Sequence, residues 1–367
     1  MSRVLFPEIP RSRFSQVDGL RAIACASVIF SHTALGFVGI AQGGEWMAKW
    51  SMGRLGVLLF FAISGFVIPH SLRGLRAQAV KQFAIRRFWR LFPPYWFALA
   101  LTAAWRVGSA YPLERLPWDA TMLPHLRAFA GLQHPHGFLH FWTLEVELFF
   151  YFSVAGLYLL FGGLGWRVLF TVYIGLFLYT VTDSFPVGIA PEYSPVPSLM
   201  MMFWGAACRE VLRFDFKRYP RLAPIKGVDW ARSLLLGVVT FPLVFVGLQY
   251  AFYRIPEGWW NIETRVGASL LCAVVGFLFW VILTPVRLNW LSRVGRWTYS
   301  VYLLHFLVIY SVFYLLRINA SVIPWISGWP LPVYMGGVLL ICFAVGGVAY
   351  RWVEQPSDQV GKRLSKG

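Results

Sequence analysis

Residues 331–350 read LPVYMGGVLLICFAVGGVAY, twenty consecutive positions without a carboxylate, a lysine, an arginine or a histidine. About 20 mostly apolar residues are what a helix needs to cross the hydrocarbon core of a bilayer. Outward from this stretch the same pattern recurs nine times, near 22–40, 54–70, 92–108, 143–161, 167–182, 196–212, 232–252, 266–284 and 298–316. The second and fifth of the ten stretches are the shortest. The third begins beside Pro93-Pro94, which suits a helix N-terminus. The whole chain agrees with its parts: of 367 residues, 58% are apolar and 13% charged, with a mean hydropathy of +0.60. Soluble domains average about 45–50% apolar and about 25% charged residues. The sequence therefore predicts an all-α integral membrane protein with about ten transmembrane helices. It excludes a disordered chain, a disulfide scaffold and an ordinary cytosolic enzyme. Cys25, Cys208, Cys272 and Cys342 lie within or at the edge of apolar stretches. They show neither metal-ligand nor disulfide spacing and read as small packing residues.

The 33 basic residues outnumber the 16 acidic ones, giving a formal charge of +17. A nucleic-acid reader needs such an excess on a water-exposed face, whereas a membrane protein gathers it in its cytoplasmic loops. Ten spans place both termini on one side, and 25 of the 33 basic residues fall in the termini and loops of that side. The positive-inside rule then predicts a cytoplasmic N-terminus and a cytoplasmic C-terminus. Residues 1–367 are expected to form a single membrane domain, with no appended soluble domain.

Polar groups inside spans are costly and mark sites or pathways. His32 lies well inside the first span, in Ser27-Val-Ile-Phe-Ser-His32-Thr33. It reads either as a histidine bonded between helices or as a general base, proton relay or metal ligand. Arg21 precedes it by eleven residues, three helical turns plus about 20°, so the two share a helix face about 16 Å apart along the axis. A cation at the cytoplasmic boundary and an imidazole about halfway through a ~30 Å core suit a long substrate with an anionic head. A coenzyme A thioester has that shape.

After the second span, Arg73, Arg76, Lys81, Arg86, Arg87 and Arg90 crowd what reads as a loop. Topology and attraction to anionic lipid explain such a cluster, but Arg87-x-x-Arg90 also places two guanidinium groups to grip a phosphate. The fourth span opens with Glu145 and Glu147. Two residues apart on a helix they point about 200° away from each other, so only one faces any given site. His134, His136 and His140 sit among Pro135 and Gly137 in an irregular external stretch, without a cysteine or carboxylate to complete a metal set. No metal site is expected. His305, inside the ninth span, is a second polar group expected to line the cavity.

Several of these residues carry a resemblance. The opening Val17-Asp18-Gly19-Leu20-Arg21-Ala22-Ile23-Ala24 with His32 resembles the first-span signature of the acyltransferase family 3 membrane proteins. So do Phe60-Phe61-Ala-Ile-Ser64-Gly65-Phe66 and Arg87-x-x-Arg90 followed by Pro93-Pro94-Tyr95-Trp96. Trp142-Thr-Leu-x-Val-Glu147 with Phe150-Tyr151, Tyr302-Leu-Leu-His305 and Glu354-x-Pro356 continue it in order. The resemblance runs over essentially the whole chain. It implies a stand-alone multi-pass enzyme of the bacterial inner membrane that takes an acyl group, usually acetyl, from cytoplasmic acyl-CoA to a saccharide hydroxyl. Acyl-CoA is then a co-substrate, and no bound cofactor is expected. The acceptor is a saccharide such as a lipid-linked cell-surface or exopolysaccharide unit, and nucleic acid is not a partner. His32 and Glu147 take the catalytic positions in this reading, with His32 acting as a base or as a transient acyl carrier. Arg21, Arg87 and Arg90 take the donor-binding positions, and Asp18, Tyr95, Trp142 and His305 are cavity-lining. On composition alone, a transporter or flippase of an anionic amphiphile fits the intramembrane His and Glu as well.

Overall fold

Each of the ten apolar stretches carries a helix, the form in which a chain satisfies its own backbone hydrogen bonds without help from lipid. The computed structural model describes residues 15–36, 52–106, 116–123, 141–182, 195–213, 230–252, 262–283, 288–318 and 329–366, and no β-strand occurs among them. The helices are α1 (Ser15–Gly36), α2 (Met52–Val67), α3 (Arg76–Arg106), α4 (Trp142–Phe161), α5 (Trp166–Val181) and α6 (Pro195–Arg213). They continue with α7 (Trp230–Phe252), α8 (Ile262–Phe277), α9 (Asn289–Val294), α10 (Thr298–Ile318), α11 (Leu331–Ala349) and α12 (Gln355–Leu364). Two π-helical turns, Leu278–Leu283 and Tyr350–Glu354, extend α8 and join α11 to α12. The histidines at 134, 136 and 140 lie outside the described residues.

Seven of these helical segments are long and apolar enough to cross a membrane. Their outward faces match that role: Leu340 on α11 is 73% exposed and Leu160 on α4 is 71% exposed. The other three predicted spans fall short for visible reasons. The fifth is the 16-residue α5, and the sixth, α6, carries Arg209, Glu210 and Arg213 in its last turns. The third belongs to α3, whose 31 residues begin sixteen positions before the expected start at 92. The basic stretch ending at Arg90, expected as a loop, is therefore mostly helix, and Pro93-Pro94 lies inside it.

A proline inside a helix removes a hydrogen bond and crowds the preceding turn. Pro93 has no N–H to give to Trp89, and the Ser357 hydroxyl of α12 donates to that Trp89 carbonyl instead. Two residues on, the Tyr299 hydroxyl of α10 donates to the Leu91 carbonyl at 2.8 Å. Of the two carbonyls that the prolines leave without an in-helix donor, those of Trp89 and Arg90, the first is thus satisfied from a neighbouring helix.

The chain divides into two compact units: Met1–Ala24, Arg54–Arg73 and Phe150–Gly295 form one, and Cys25–Gly53, Gly74–Phe149 and Arg296–Gly367 form the other. In the first, α2 and α6 cross with their backbones in contact. A methyl group on Gly65 would fall on the Met202 carbonyl, and one on Gly205 would fall on that of Ala62. Small residues permit this approach where lipid offers no hydrophobic drive to helix association. At the end of the same pair, Arg209 donates to the Phe66 carbonyl at 2.8 Å and His70 Nε2 meets Glu210 Oε1 at 2.7 Å. In the second unit, α10 packs on α11 with Gly346 against Val301, and α12 packs on α3 with Gly361 against Trp89. Glu354, 3% exposed, accepts both the backbone N–H of Ser300 (3.2 Å) and its hydroxyl (2.6 Å). That carboxylate caps the first turn of α10, where free N–H groups and the helix dipole favour an anion.

Candidate functional site

The second unit holds the densest set of predicted site residues. α1 runs unbroken from Ser15 to Gly36 and presents His32 near its C-terminal end. The imidazole is half-buried and makes no hydrogen bond among the described residues. It rests against two side chains of α10: its ring centre lies 5.4 Å from that of His305 and 4.3 Å from that of Phe306. The two histidines, 273 positions apart in the chain, are thus brought together.

His305 is only 1% exposed. Its Nδ1 bonds the carbonyl of Tyr302, three residues earlier on the same helix. The Tyr302 hydroxyl in turn bonds Thr143 Oγ1 on α4 at 2.6 Å. Glu147, one helical turn beyond Thr143, lies close enough to act electrostatically on that phenol. Of the two acidic residues opening α4, Glu145 is buried and Glu147 half-buried, in line with their opposite directions on the helix. Thr143 and Phe306 were not among the residues singled out from sequence. The signal for Phe306 lay in α10, where Tyr302, His305 and Phe306 follow the i, i+3, i+4 spacing of a single face. Nothing local marks Thr143, whose importance comes from a partner 159 positions away.

The residues expected to hold the donor are placed as follows. Arg21, in the first unit, meets Asp18 at 3.4 Å, and Asp18 is itself 2% exposed. Arg87 and Arg90, in the second unit, stand one turn apart on α3 as their spacing requires, both half-buried. The Arg87 guanidinium carbon lies 5.3 Å from the centre of the Phe83 ring. Burial and the adjacent Arg87 charge push the Arg86 guanidinium below its usual range, a sign of crowded cations. Arg90 acts electrostatically on Glu354, the cap of α10. Tyr95 is buried, with its hydroxyl on the Asp119 carbonyl and its ring edge-on to Phe141 at 5.1 Å, while Trp142 is half-buried at the start of α4.

This arrangement offers a base or nucleophile on α1, an acceptor-bearing ring behind it and carboxylate and cation positions on neighbouring helices, the elements of an acyl-transfer site. Comparison with known proteins points the same way. The family model for acyltransferase family 3, described as an acyltransferase domain, matches residues 14–347. The chain is 24% identical to Nodulation protein 10 of Rhizobium leguminosarum bv. viciae over 95% of each sequence. It is 31% identical to the exopolysaccharide production protein ExoZ of Rhizobium meliloti, over 85% of this chain and 92% of that one. With the peptidoglycan O-acetyltransferase OatA of Listeria monocytogenes it shares 23% identity over 96% of this chain and 57% of that protein. No solved structure matches. A family match over nearly the whole chain, on a set of membrane-crossing helices that carries the motifs in order, shows that the chain belongs to acyltransferase family 3 and is a multi-pass membrane acyltransferase of the non-aminoacyl class.

Proposed function

We propose that the protein is an O-acyltransferase of a bacterial inner membrane, moving an acetyl group from cytoplasmic acetyl-CoA to a hydroxyl of a saccharide acceptor. The observation that carries this reading is the His32 imidazole, which is half-buried beside His305 and makes no hydrogen bond among the described residues. In the membrane interior such a group is left open for a substrate. His32 takes the proton from the acceptor hydroxyl as its oxygen attacks the thioester carbonyl. The C–S bond then breaks, and the coenzyme A thiolate leaves with the proton that His32 received. If His32 is instead acylated, the same leaving group departs first and the acyl-imidazole passes its group to the hydroxyl.

Arg87 and Arg90 hold the donor phosphates in this reading, and an anion bound there also relieves the crowding of Arg86 and Arg87. Arg21 is the third donor ligand, eleven residues before His32 on α1, a rise of about 16 Å that suits the reach of a pantetheine arm. Glu147 supports the site from α4. The relatives named for O-acetylation of peptidoglycan and for exopolysaccharide production support a saccharide acceptor. The segregation of basic residues supports ten spans with both termini in the cytoplasm.

The test is direct. Detergent-purified protein given acetyl-CoA labelled in the acetyl group should transfer or hydrolyse the label, and His32→Ala should lower that rate by the 10²–10⁴-fold typical of removing a general base. A complete loss, with labelled wild-type protein recovered from donor alone, identifies the acyl-imidazole route. Wild-type turnover in His32→Ala removes the reading, and a transporter of anionic amphiphiles then becomes the better account.

A further inference from the structure

His305 is more than a lining residue. Its Nδ1 is bonded to the Tyr302 carbonyl, and a carbonyl only accepts, so Nδ1 carries the hydrogen. In the neutral ring the lone pair is then on Nε2. The backbone of α10 thereby dictates a tautomer that has an acceptor at its far edge. The side chain that bears this acceptor is 1% exposed and lies against the half-buried ring of His32. No hydrogen bond joins the two rings as they stand, but with each ring nitrogen roughly 1 Å from its ring centre, 5.4 Å between centres lets a turn of the His32 ring bring its nitrogen to about 3 Å from Nε2. Phe306 closes one side of the pair, 4.3 Å from His32 and 4.6 Å from His305, and limits the directions in which either ring swings.

We infer that His305 is the positioning residue of His32: as the half-buried His32 ring turns its N–H toward His305, Nε2 accepts it, which aims the other His32 nitrogen at the acceptor hydroxyl. This rests on the reading of His32 as the reactive group. During turnover His32 holds a proton on each nitrogen, and an imidazolium in apolar surroundings is costly unless it is hydrogen-bonded. His305 supplies that bond without bringing a second charge into the membrane. The arrangement follows the base-and-orienter logic of a catalytic triad, with a neutral imidazole in the place of the usual carboxylate. Tyr302 carries the orientation one step further. Its carbonyl sets the His305 tautomer while its hydroxyl holds Thr143 of α4, the helix of Glu147.

The experiment compares His305→Phe with His305→Gln in the labelled acetyl-CoA assay, with kcat and donor KM measured for each. Phe keeps the ring and packs well but has no acceptor, whereas the Gln amide oxygen accepts. Positioning predicts that His305→Phe lowers kcat by roughly the 10–100-fold seen for lost orienting partners, with donor KM within about twofold. His305→Gln should recover part of the loss. A residue that only fills space gives the reverse order, Phe above Gln, and that order overturns the inference, as does wild-type kcat in His305→Phe. If the Phe variant does not fold, His305→Met provides the same comparison without a strong acceptor. His32→Ala, assayed alongside, separates the two claims. Inactive His32→Ala with fully active His305→Phe sinks only the positioning role, while active His32→Ala sinks the reading of the site beneath it.

Discussion

The proline pair of α3 and the histidine of α1 lie in the same compact unit and treat their polar groups in opposite ways. Around Pro93-Pro94, donors arrive from distant helices: Ser357 serves the Trp89 carbonyl and Tyr299 serves that of Leu91, while in the same unit Glu354 accepts from both donors of Ser300. His32, by contrast, makes no hydrogen bond among the described residues and keeps part of its ring accessible. Satisfied polar groups in a low-dielectric interior specify a unique packing. A polar group left open there at a cost is poised for a partner from outside. The difference divides residues that hold the protein together from the one proposed to act on a substrate.

The comparison breaks most visibly at His32. His32→Ala should abolish most acyl transfer and yet leave thermal unfolding in detergent nearly unchanged, because the resting imidazole makes no hydrogen bond among the described residues. A large drop in melting temperature together with activity would make His32 part of the architecture. Glu354→Ala should do the opposite. It strands the Ser300 N–H and hydroxyl in a buried place, a loss of about 2–4 kcal/mol, seen as a lower melting temperature and poorer yield. Activity per folded molecule should stay closer to wild type than in His32→Ala.

Arg87 and Arg90 sharpen the boundary. Arg87→Ala should raise donor KM at least roughly tenfold, the value of one charge-assisted contact, with little change in melting temperature. Arg90→Ala should raise donor KM and also lower the melting temperature, because the Arg90 charge acts on Glu354. Lysine should rescue either only in part, since it lacks the planar fork. Equal melting temperatures for the two alanine variants would show that Arg90 contributes nothing to the α10 cap. The smallest effect belongs to Ser357→Ala, about 1 kcal/mol for one hydrogen bond. In a Pro93→Ala background it should cost almost nothing, because alanine brings back the N–H that the Trp89 carbonyl lacks. A double-mutant cycle without that coupling would contradict the role given to Ser357.

Much of this was legible along the chain. The apolar runs mark the helices, and the opposite directions of Glu145 and Glu147 follow from helical geometry, matching one buried and one half-buried side chain. His32 declares itself by being ionisable where nothing else nearby is. What escaped local reading depends on partners far away in sequence. Pro93-Pro94 suggested that a helix begins there, and α3 runs through it, with Ser357, more than 200 positions later, donating to the carbonyl that Pro93 leaves without an in-helix partner. The adjacency of His32 and His305 is likewise a product of packing. The membrane-crossing count reads ten by pattern, while among the described residues seven helices meet the length and hydropathy of a span. The difference lies in the short α5, the charged end of α6 and the basic front half of α3.

The π turn at Tyr350–Glu354 sets a phase. α11 turns an apolar face outward, and α12, continuous with it, must turn Ser357 and Gly361 toward α3. An uninterrupted α-helix advances about 100° per residue, so the wider turn fixes the angle between those two faces by holding one residue more than an α turn does. Removing a single residue from this turn swings everything after it by about 100° and draws it back by about 1.5 Å. The serine then points away from Trp89 and the proline pair loses its donor. Sequence around this turn is therefore free to change in kind far more than in number.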